Sequence, residues 1–310
     1  MILAGVDIGT LTCRLLIARL SVSGYLTELH ADRRLLRLGE GVDLSRRLQP
    51  AAMDRVIETL REWRAVVDGY QIEGEAAVAT SAVRDAVNRG AFLKRIKQTA
   101  GFEVELITGE EEARRTLLGI RSDLPHDVAD ILGVDIGGGS TEFILDRRDQ
   151  SPLVRSIDVG VVRLTERCLT QDPPSDDEIR TARQLVHDHT DGLRPLFGSL
   201  QYTAVVGTAG TITTLAAMAQ RLAAYEPARI HNYTLTLDVV SSIEREMLSR
   251  TKAQRRGVPG LEAGREDVIV AGIIILKTIM DTLGVQSCIV SDRGLREGIL
   301  LDLAAKLKAA

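Results

Sequence analysis

The sequence predicts a duplicated α/β fold, two similar lobes with a cleft between them, and three observations carry that prediction. Strand-like segments are followed twice by alternating helix and strand, the grammar of layered α/β domains. The tetrapeptide Val-Asp-Ile-Gly occurs at Val6–Gly9 and again at Val134–Gly137, so that Asp7 and Asp135 stand 128 residues apart, each at the end of an apolar run. The chain has 310 residues, 45% hydrophobic and 26% charged, which is enough for sizeable cores and about the length of two domains. The expected lobes are residues 1–124 and 125–310, with a C-terminal helix at about 295–310 free to fold back on the first lobe.

The elements follow in order. Apolar runs at Ile2–Val6, Leu15–Leu20 and Tyr25–His30, bounded by Gly, Ser or Asp, predict three strands close enough for an antiparallel meander. Met53, Val56, Ile57, Leu60, Trp63 and Val67 recur at helical spacing, and Ala76–Ala79 reads as a short strand. Asn88 opens a helix through Leu93 and Ile96, Val104–Ile107 is a strand, and Gly109 precedes a helix toward Ile120. After a polar connection, Ser122–Asp130, strands at Ile131–Asp135, Thr141–Leu145 and Leu153–Val159 repeat the meander. Helices Val161–Cys168 and Asp176–His189, strand Thr203–Val206 and helix Thr211–Ala219 come next. Helices Asp238–Arg250 and Glu266–Leu283, strand Cys288–Val290 and a final helix from Gly294 complete the chain.

Composition narrows the function. Lys+Arg total 39 against 43 Asp+Glu, a net charge of −4 that argues against a general nucleic-acid or anionic-membrane binder. Aromatics at 3% leave little material for base stacking. Residues 1–124 carry 18 side chains of each sign, with bases clustered at Arg33, Arg34, Arg37, Arg46 and Arg47 and at Arg84, Arg89, Lys94, Arg95 and Lys97. Such clusters are either a solvated surface or a surface for an anionic substrate. Cys13, Cys168 and Cys288 form no C-x-x-C pair and read as reduced, buried hydrophobes. The start carries no basic leader, and the longest apolar run, Val268–Leu276, is half of what a bilayer needs. A soluble, cytoplasmic protein is expected.

Three glycine elements carry the chemistry. Each Val-Asp-Ile-Gly unit sets an acid at a strand end before a tight turn whose backbone N–H groups and hydroxyls can surround a phosphate. The donors are Gly9, Thr10 and Thr12 in the first copy and Gly137, Gly138, Gly139, Ser140 and Thr141 in the second. Either copy alone is as well read as a β-turn; the pair favours phosphate. Gly207-Thr208-Ala209-Gly210-Thr211 follows a strand and opens a helix, which is an anion site or, alternatively, helix capping by Thr208 or Thr211.

These residues resemble a known family. Asp7–Gly9, Thr80–Ala86, Gly109–Arg114, Asp135–Glu142, Gly207–Thr211 and Ser291–Gly298 are similar, in order, to the motifs of the exopolyphosphatase/guanosine pentaphosphate phosphohydrolase family. The resemblance implies two ribonuclease-H-like lobes of the actin-like ATPase superfamily, with the active site in the cleft. It implies Mg²⁺-dependent hydrolysis of terminal phosphate from inorganic polyphosphate, with K⁺ as an optional assistant, in a homodimer. It places the catalytic base at Glu112, an acid associated with metal and water at Glu142, a phosphate-clamping arginine at Arg84, and metal-holding aspartates at Asp7 and Asp135. Without the resemblance, Glu110, Glu111 and Glu112 read as acids complementing a helix dipole, and Arg84 as an ion-pair partner of Asp85.

The alternatives are hydrolysis of guanosine pentaphosphate, a polyphosphate or nucleotide sensor with little turnover, and an actin-like kinase or chaperone ATPase with an adenosine pocket at Gly207–Thr211. One departure bears on them. Thr10-Leu11-Thr12-Cys13 stand where the family usually has Ser-Asn-Ser and an apolar residue, and Leu11 lacks the amide of an asparagine. The helical domains of longer family members are also missing from these residues, which predicts a two-domain short form. His187 and His189 face apart on a helix, and Asp292 reads as an N-cap as readily as a catalytic group.

Overall fold

A computed structural model describes residues 1–124, 128–147, 149–198 and 204–309. Residues 125–127 of the expected Ser122–Asp130 connection, where the expected lobe boundary falls, lie outside the described residues, as do Thr203 and residue 310. The chain divides into two compact units, Met1–Asp123 with Arg293–Ala310, and Leu124–Asp292.

In the first unit, β1 (Ile2–Ile8), β2 (Thr12–Leu20) and β3 (Leu26–Leu35) form the antiparallel meander. Helices α1 (Val42–Ser45) and α2 (Pro50–Asp68) lead to β4 (Gly74–Ala79), which lies parallel to β1. Then come α3 (Ser81–Asp85), α4 (Arg89–Ala100), β5 (Val104–Leu106) beside β4, and α5 (Gly109–Arg121). The sheet order is β3-β2-β1-β4-β5. Strand β1 runs two residues past Val6 because Asp7 and Ile8 still pair with Arg14 and Cys13, which places Asp7 inside the ladder. Strand β3 extends through the charged segment His30–Arg34, a composition suited to an exposed sheet edge.

The alternation of each strand sorts two cores. Ala4, Val6, Ile8, Cys13, Leu15 and Ile17 pack on Val56, Leu60 and Trp63 of α2 and Phe92 and Ile96 of α4. Leu3, Leu16 and Ala18 on the opposite face pack on Leu300 and Ala304 of the C-terminal helix Leu295–Ala309. Pro at the first position of α2 suits an N–H that needs no helical partner, and Gly101 ends α4 at φ 75°.

The second unit repeats the plan. Strands β6 (Ile131–Ile136), β7 (Thr141–Asp146) and β8 (Leu153–Ile157) form a meander. Helices α6 (Val161–Cys168) and α7 (Asp176–Thr190) precede β9 (Ala204–Thr208), parallel to β6, and α8 (Ala209–Ala219). Helix α9 (Pro227–Ile230), β10 (Thr234–Thr236), α10 (Leu237–Leu248), α11 (Lys252–Arg255), α12 (Ile269–Leu283) and β11 (Ser287–Val290) follow, and the C-terminal helix is α13. The order is β10-β11-β9-β6-β7-β8. Leaving out β10, both sheets place the third, second, first, fourth and fifth strands side by side, so the duplicated ribonuclease-H-like, actin-like lobe is present twice. The apolar run Val268–Leu276 belongs to α12, a buried core helix packed against α6, α7, α8 and α10. Among the described residues no helix is long and apolar enough to cross a membrane.

Candidate active site

In the first unit the sheet delivers Asp7 to the end of β1, opposite Arg14 on β2 and Val78 on β4. Asp7 is 2% exposed, and its Oδ2 accepts from Arg14 Nη1 at 3.1 Å. Burial pushes the Asp7 carboxyl above its ordinary range, and Arg14 pulls it back. The other oxygen, Oδ1, is buried with no hydrogen-bond partner. An orphaned buried carboxylate oxygen calls for a cation or a water held by one.

The turn after Asp7 is tight because Gly9 N–H donates to Thr12 O at 3.1 Å, and a Cβ on Gly9 would stand 2.6 Å from that oxygen. Its carbonyls are tied back: Thr10 O accepts from Gly39 N, and Leu11 O accepts from Leu36 N and Arg37 N. Ala82 N–H of α3 donates to Thr10 Oγ1 at 3.2 Å. Leu11 is 5% exposed, so the residue that departs from the family pattern is a packing residue.

Helix α3 also presents Arg84, whose Nη1 donates to Ile107 O at 2.8 Å and reaches Glu112 Oε2 at 3.5 Å. Thr108 caps α5 by accepting from Glu111 N–H, and the three acids of its first turn then separate. Glu110 is exposed. Glu111 is taken by Arg114 through two bonds of 2.8 Å and by Arg115 through a third of 2.8 Å. Glu112 is buried beside Arg84, so the structure brings together the two first-unit residues expected to be catalytic.

In the second unit, Asp135 on β6 faces Glu142 on β7 and Thr208 on β9, and Glu142 faces Ser156 on β8. These four form one cross-strand row on one face of the sheet. Asp135, Glu142 and Thr208 are buried, and Ser156 Oγ donates to Glu142 Oε1 at 2.7 Å. In the following loop Gly137 N–H donates to Ser140 O at 3.0 Å. Thr141, counted above among the phosphate donors, commits its hydroxyl proton to Val159 O at 2.6 Å. Gly207 lies in β9, where a Cβ would meet Ile212 Cδ1 at 2.7 Å. Thr208 holds the N-cap position of α8 without a side-chain cap bond, so capping by its hydroxyl is not what keeps it there. A Cβ on Gly210 would stand 2.4 Å from Arg265 Nη2, so glycine lets that buried arginine lie against the start of α8.

Sequence reading passed over Arg14, Ser156, Arg163 and Arg265, each defined by strand register or a distant contact. Much of the basic clustering is surface pairing: Arg34 binds Asp32 and Glu62, Arg95 binds Asp54, and Lys97 binds Glu103. Asp292 accepts from Tyr225 Oη, and its N–H donates to His231 Nδ1, so it anchors the chain after β11. Among the described residues no three His, Cys, Asp or Glu side chains gather as a metal cage. The orphaned Asp7 Oδ1 is an acceptor of the kind that fits Mg²⁺, which keeps its waters and binds through one or two carboxylates plus substrate phosphates.

Comparison with known proteins gives a consistent result. The model of the Ppx/GppA phosphatase family matches residues 16–307. The chain is 37% identical to Exopolyphosphatase 2 of Mycobacterium tuberculosis over 97% of this chain and 98% of that one. A solved exopolyphosphatase-like protein is 32% identical with a TM-score of 0.92, covering 99% of this chain and 100% of the other. The Ppx/GppA family member from Aquifex aeolicus is 32% identical with a TM-score of 0.84, covering 100% of this chain and 99% of that chain.

Proposed function

The chain belongs to the Ppx/GppA phosphatase family, and on that premise we propose that it is an exopolyphosphatase releasing terminal phosphate from inorganic polyphosphate with Mg²⁺. The family and the named exopolyphosphatase relatives make it a hydrolase of phosphoanhydride bonds. The observation that carries the catalytic reading is the first turn of α5, where two arginines occupy Glu111 while Glu112 is buried beside Arg84. A carboxylate in that setting can accept a proton from an attacking water, and a neighbouring guanidinium can neutralise phosphate oxygens.

In this reading the water oxygen bonds to the terminal phosphorus as the bridging P–O bond breaks. The water proton passes to Glu112, and the bridging oxygen leaves on the shortened chain. Gly9, Thr10 and Thr12 in one unit, and Gly137, Gly138, Gly139, Ser140, Thr141, Gly207, Thr208 and Gly210 in the other, are the proposed phosphate-binding positions. The N–H groups of Gly9 and Gly137 and the Thr141 hydroxyl are engaged within their own loops, which leaves the contact to donors such as the Gly138, Gly139 and Ser140 N–H groups. Asp7 in the first unit, and Asp135 with Glu142 in the second, would be the Mg²⁺ ligands within their own units, and the ion would supply charge neutralisation on non-bridging oxygens. A cytoplasmic homodimer completes the proposal, and K⁺ is its optional second ion.

Orthophosphate release with Mg²⁺ from short polyphosphate, long polyphosphate and guanosine pentaphosphate, run in parallel, tests it. Glu112→Gln is expected to lose about 10²- to 10⁴-fold in kcat while keeping its Tm. Preference for guanosine pentaphosphate would replace the substrate. Binding without release from any of the three would replace the enzyme by a sensor.

A further inference from the structure

The second glycine loop is held from behind in a way that orients it. Three successive carbonyls, Gly137 O, Gly138 O and Gly139 O, accept from Val161 N at 3.0 Å, Val162 N at 2.8 Å and Arg163 Nε at 2.9 Å. All three donors belong to the first turn of α6. Its approach depends on Gly160, where a Cβ would stand 2.4 Å from C and O of Gly138 and 2.5 Å from C of Gly139.

A trans peptide is planar, so the C=O of one residue points opposite to the N–H of the next. Carbonyls turned toward α6 therefore turn the N–H groups of Gly138, Gly139 and Ser140 to the other side, together. Successive N–H groups on one side of a loop are an anion nest. The N-terminal donors of α6, which could themselves meet an anion, are engaged by the loop carbonyls.

Two of the three clamps are backbone and would survive any side chain. The third is the Arg163 side chain, 6% exposed, which holds the carbonyl of the Gly139–Ser140 peptide. Its ion pair with Asp158 spans 3.8 Å to a 71% exposed partner and adds little. We propose that Arg163 is a positioning residue for phosphate binding: it touches the loop and not the substrate, and it aims the Ser140 N–H into the nest. This rests on the reading that Gly137–Ser140 bind phosphate.

The test compares Arg163→Met and Arg163→Lys with wild type and with Val186→Ala, which removes buried side-chain volume in the same unit. Lysine keeps charge and stem but sets a methylene where Nε stood, so both variants lose this donor. Orthophosphate affinity by calorimetry and KM for polyphosphate are read beside kcat and Tm. Both Arg163 variants are expected to weaken orthophosphate binding and raise KM about tenfold, with kcat changed less than about threefold. Val186→Ala is expected to lose Tm and keep its affinity. Wild-type affinity in either folded Arg163 variant overturns the proposal, and so does an affinity loss matched by Val186→Ala at equal loss of Tm. Calorimetry needs no turnover, so an inactive wild type that binds orthophosphate would refute the hydrolase reading and leave the Arg163 comparison intact.

Discussion

Replacing Gly298 by Ala would place a Cβ 1.8 Å from the carbonyl oxygen of Arg115 and 2.5 Å from its carbonyl carbon. Helices α13 and α5 touch backbone to backbone there, and again where a Cβ on Gly119 would stand 1.9 Å from Gly294 O. Restoring van der Waals distance means parting the helices by about 1.5 Å. That displacement strains the charge cluster they share, in which Asp302 meets Arg114 and lies 3.4 Å from Arg115. It also loosens Leu295, Ile299 and Leu300 from the sheet. Overpacking alone costs about 1–3 kcal/mol, and with the weakened buried pairs we expect about 3–4 kcal/mol. For a unit of this size that corresponds to a fall in Tm of about 8–12 °C. Thermal unfolding is the assay, with Gly192→Ala as control because no atom lies within 4 Å of its added Cβ. Since Arg115 follows Glu112 by less than one turn of α5, kcat should fall with stability. A Gly298→Ala variant within about 2 °C of wild type would refute the close-packing argument.

Acid sensitivity should come from the same cluster. Hydrogen bonds from Arg114, then Arg115, hold the Glu111 carboxyl below its ordinary range, and Arg114 and Lys306 hold Asp302 low against its burial. Depressed folded values contribute stability above the ordinary carboxylate range, and that stability is lost as pH falls through the folded values. Tm should therefore drop between about pH 5 and pH 3, and a Glu111→Gln, Asp302→Asn variant should show a flatter profile; an unchanged slope would remove the cluster as the cause. The cysteines should be inert in the native state, since all three are buried and burial pushes Cys13 up and Cys288 up to about 12. Ellman's reagent should modify them only on unfolding, and rapid labelling of the native protein would contradict this.

The duplication is legible because a tight glycine turn at the end of a central strand makes the same local demand twice. An acid at the strand end, a glycine where a Cβ would meet a carbonyl, and a following strand recur as Val6–Gly9 and Val134–Gly137. Helix α6 has the bounds expected from the sequence, Val161–Cys168, and its first residue follows Gly160. What escaped was short or remote in sequence. Strand β10 has three residues, too few to show a period, and exists because it pairs with β11 some fifty residues on. The five residues of α3 carry no helical stripe, yet they bring Arg84 toward Glu112.

The site divides along the same line. Only family resemblance singles out Glu112, since its residue type is shared with two neighbours. Its distinction from Glu110 and Glu111 is geometric and depends on which carboxylate Arg114 and Arg115 capture. The row Ser156, Glu142, Asp135 and Thr208 exists only through register across four strands, so no spacing along the chain announces it. Arg163 shows the limit most clearly. It sits in a helix that periodicity locates, but its target, Gly139 O, is 24 residues upstream, and the same residue on a solvent face would read as one more surface cation. The glycine turns are legible because glycine is required where backbone must come close. The side chains that aim them were hidden because an arginine's partner is set by the fold.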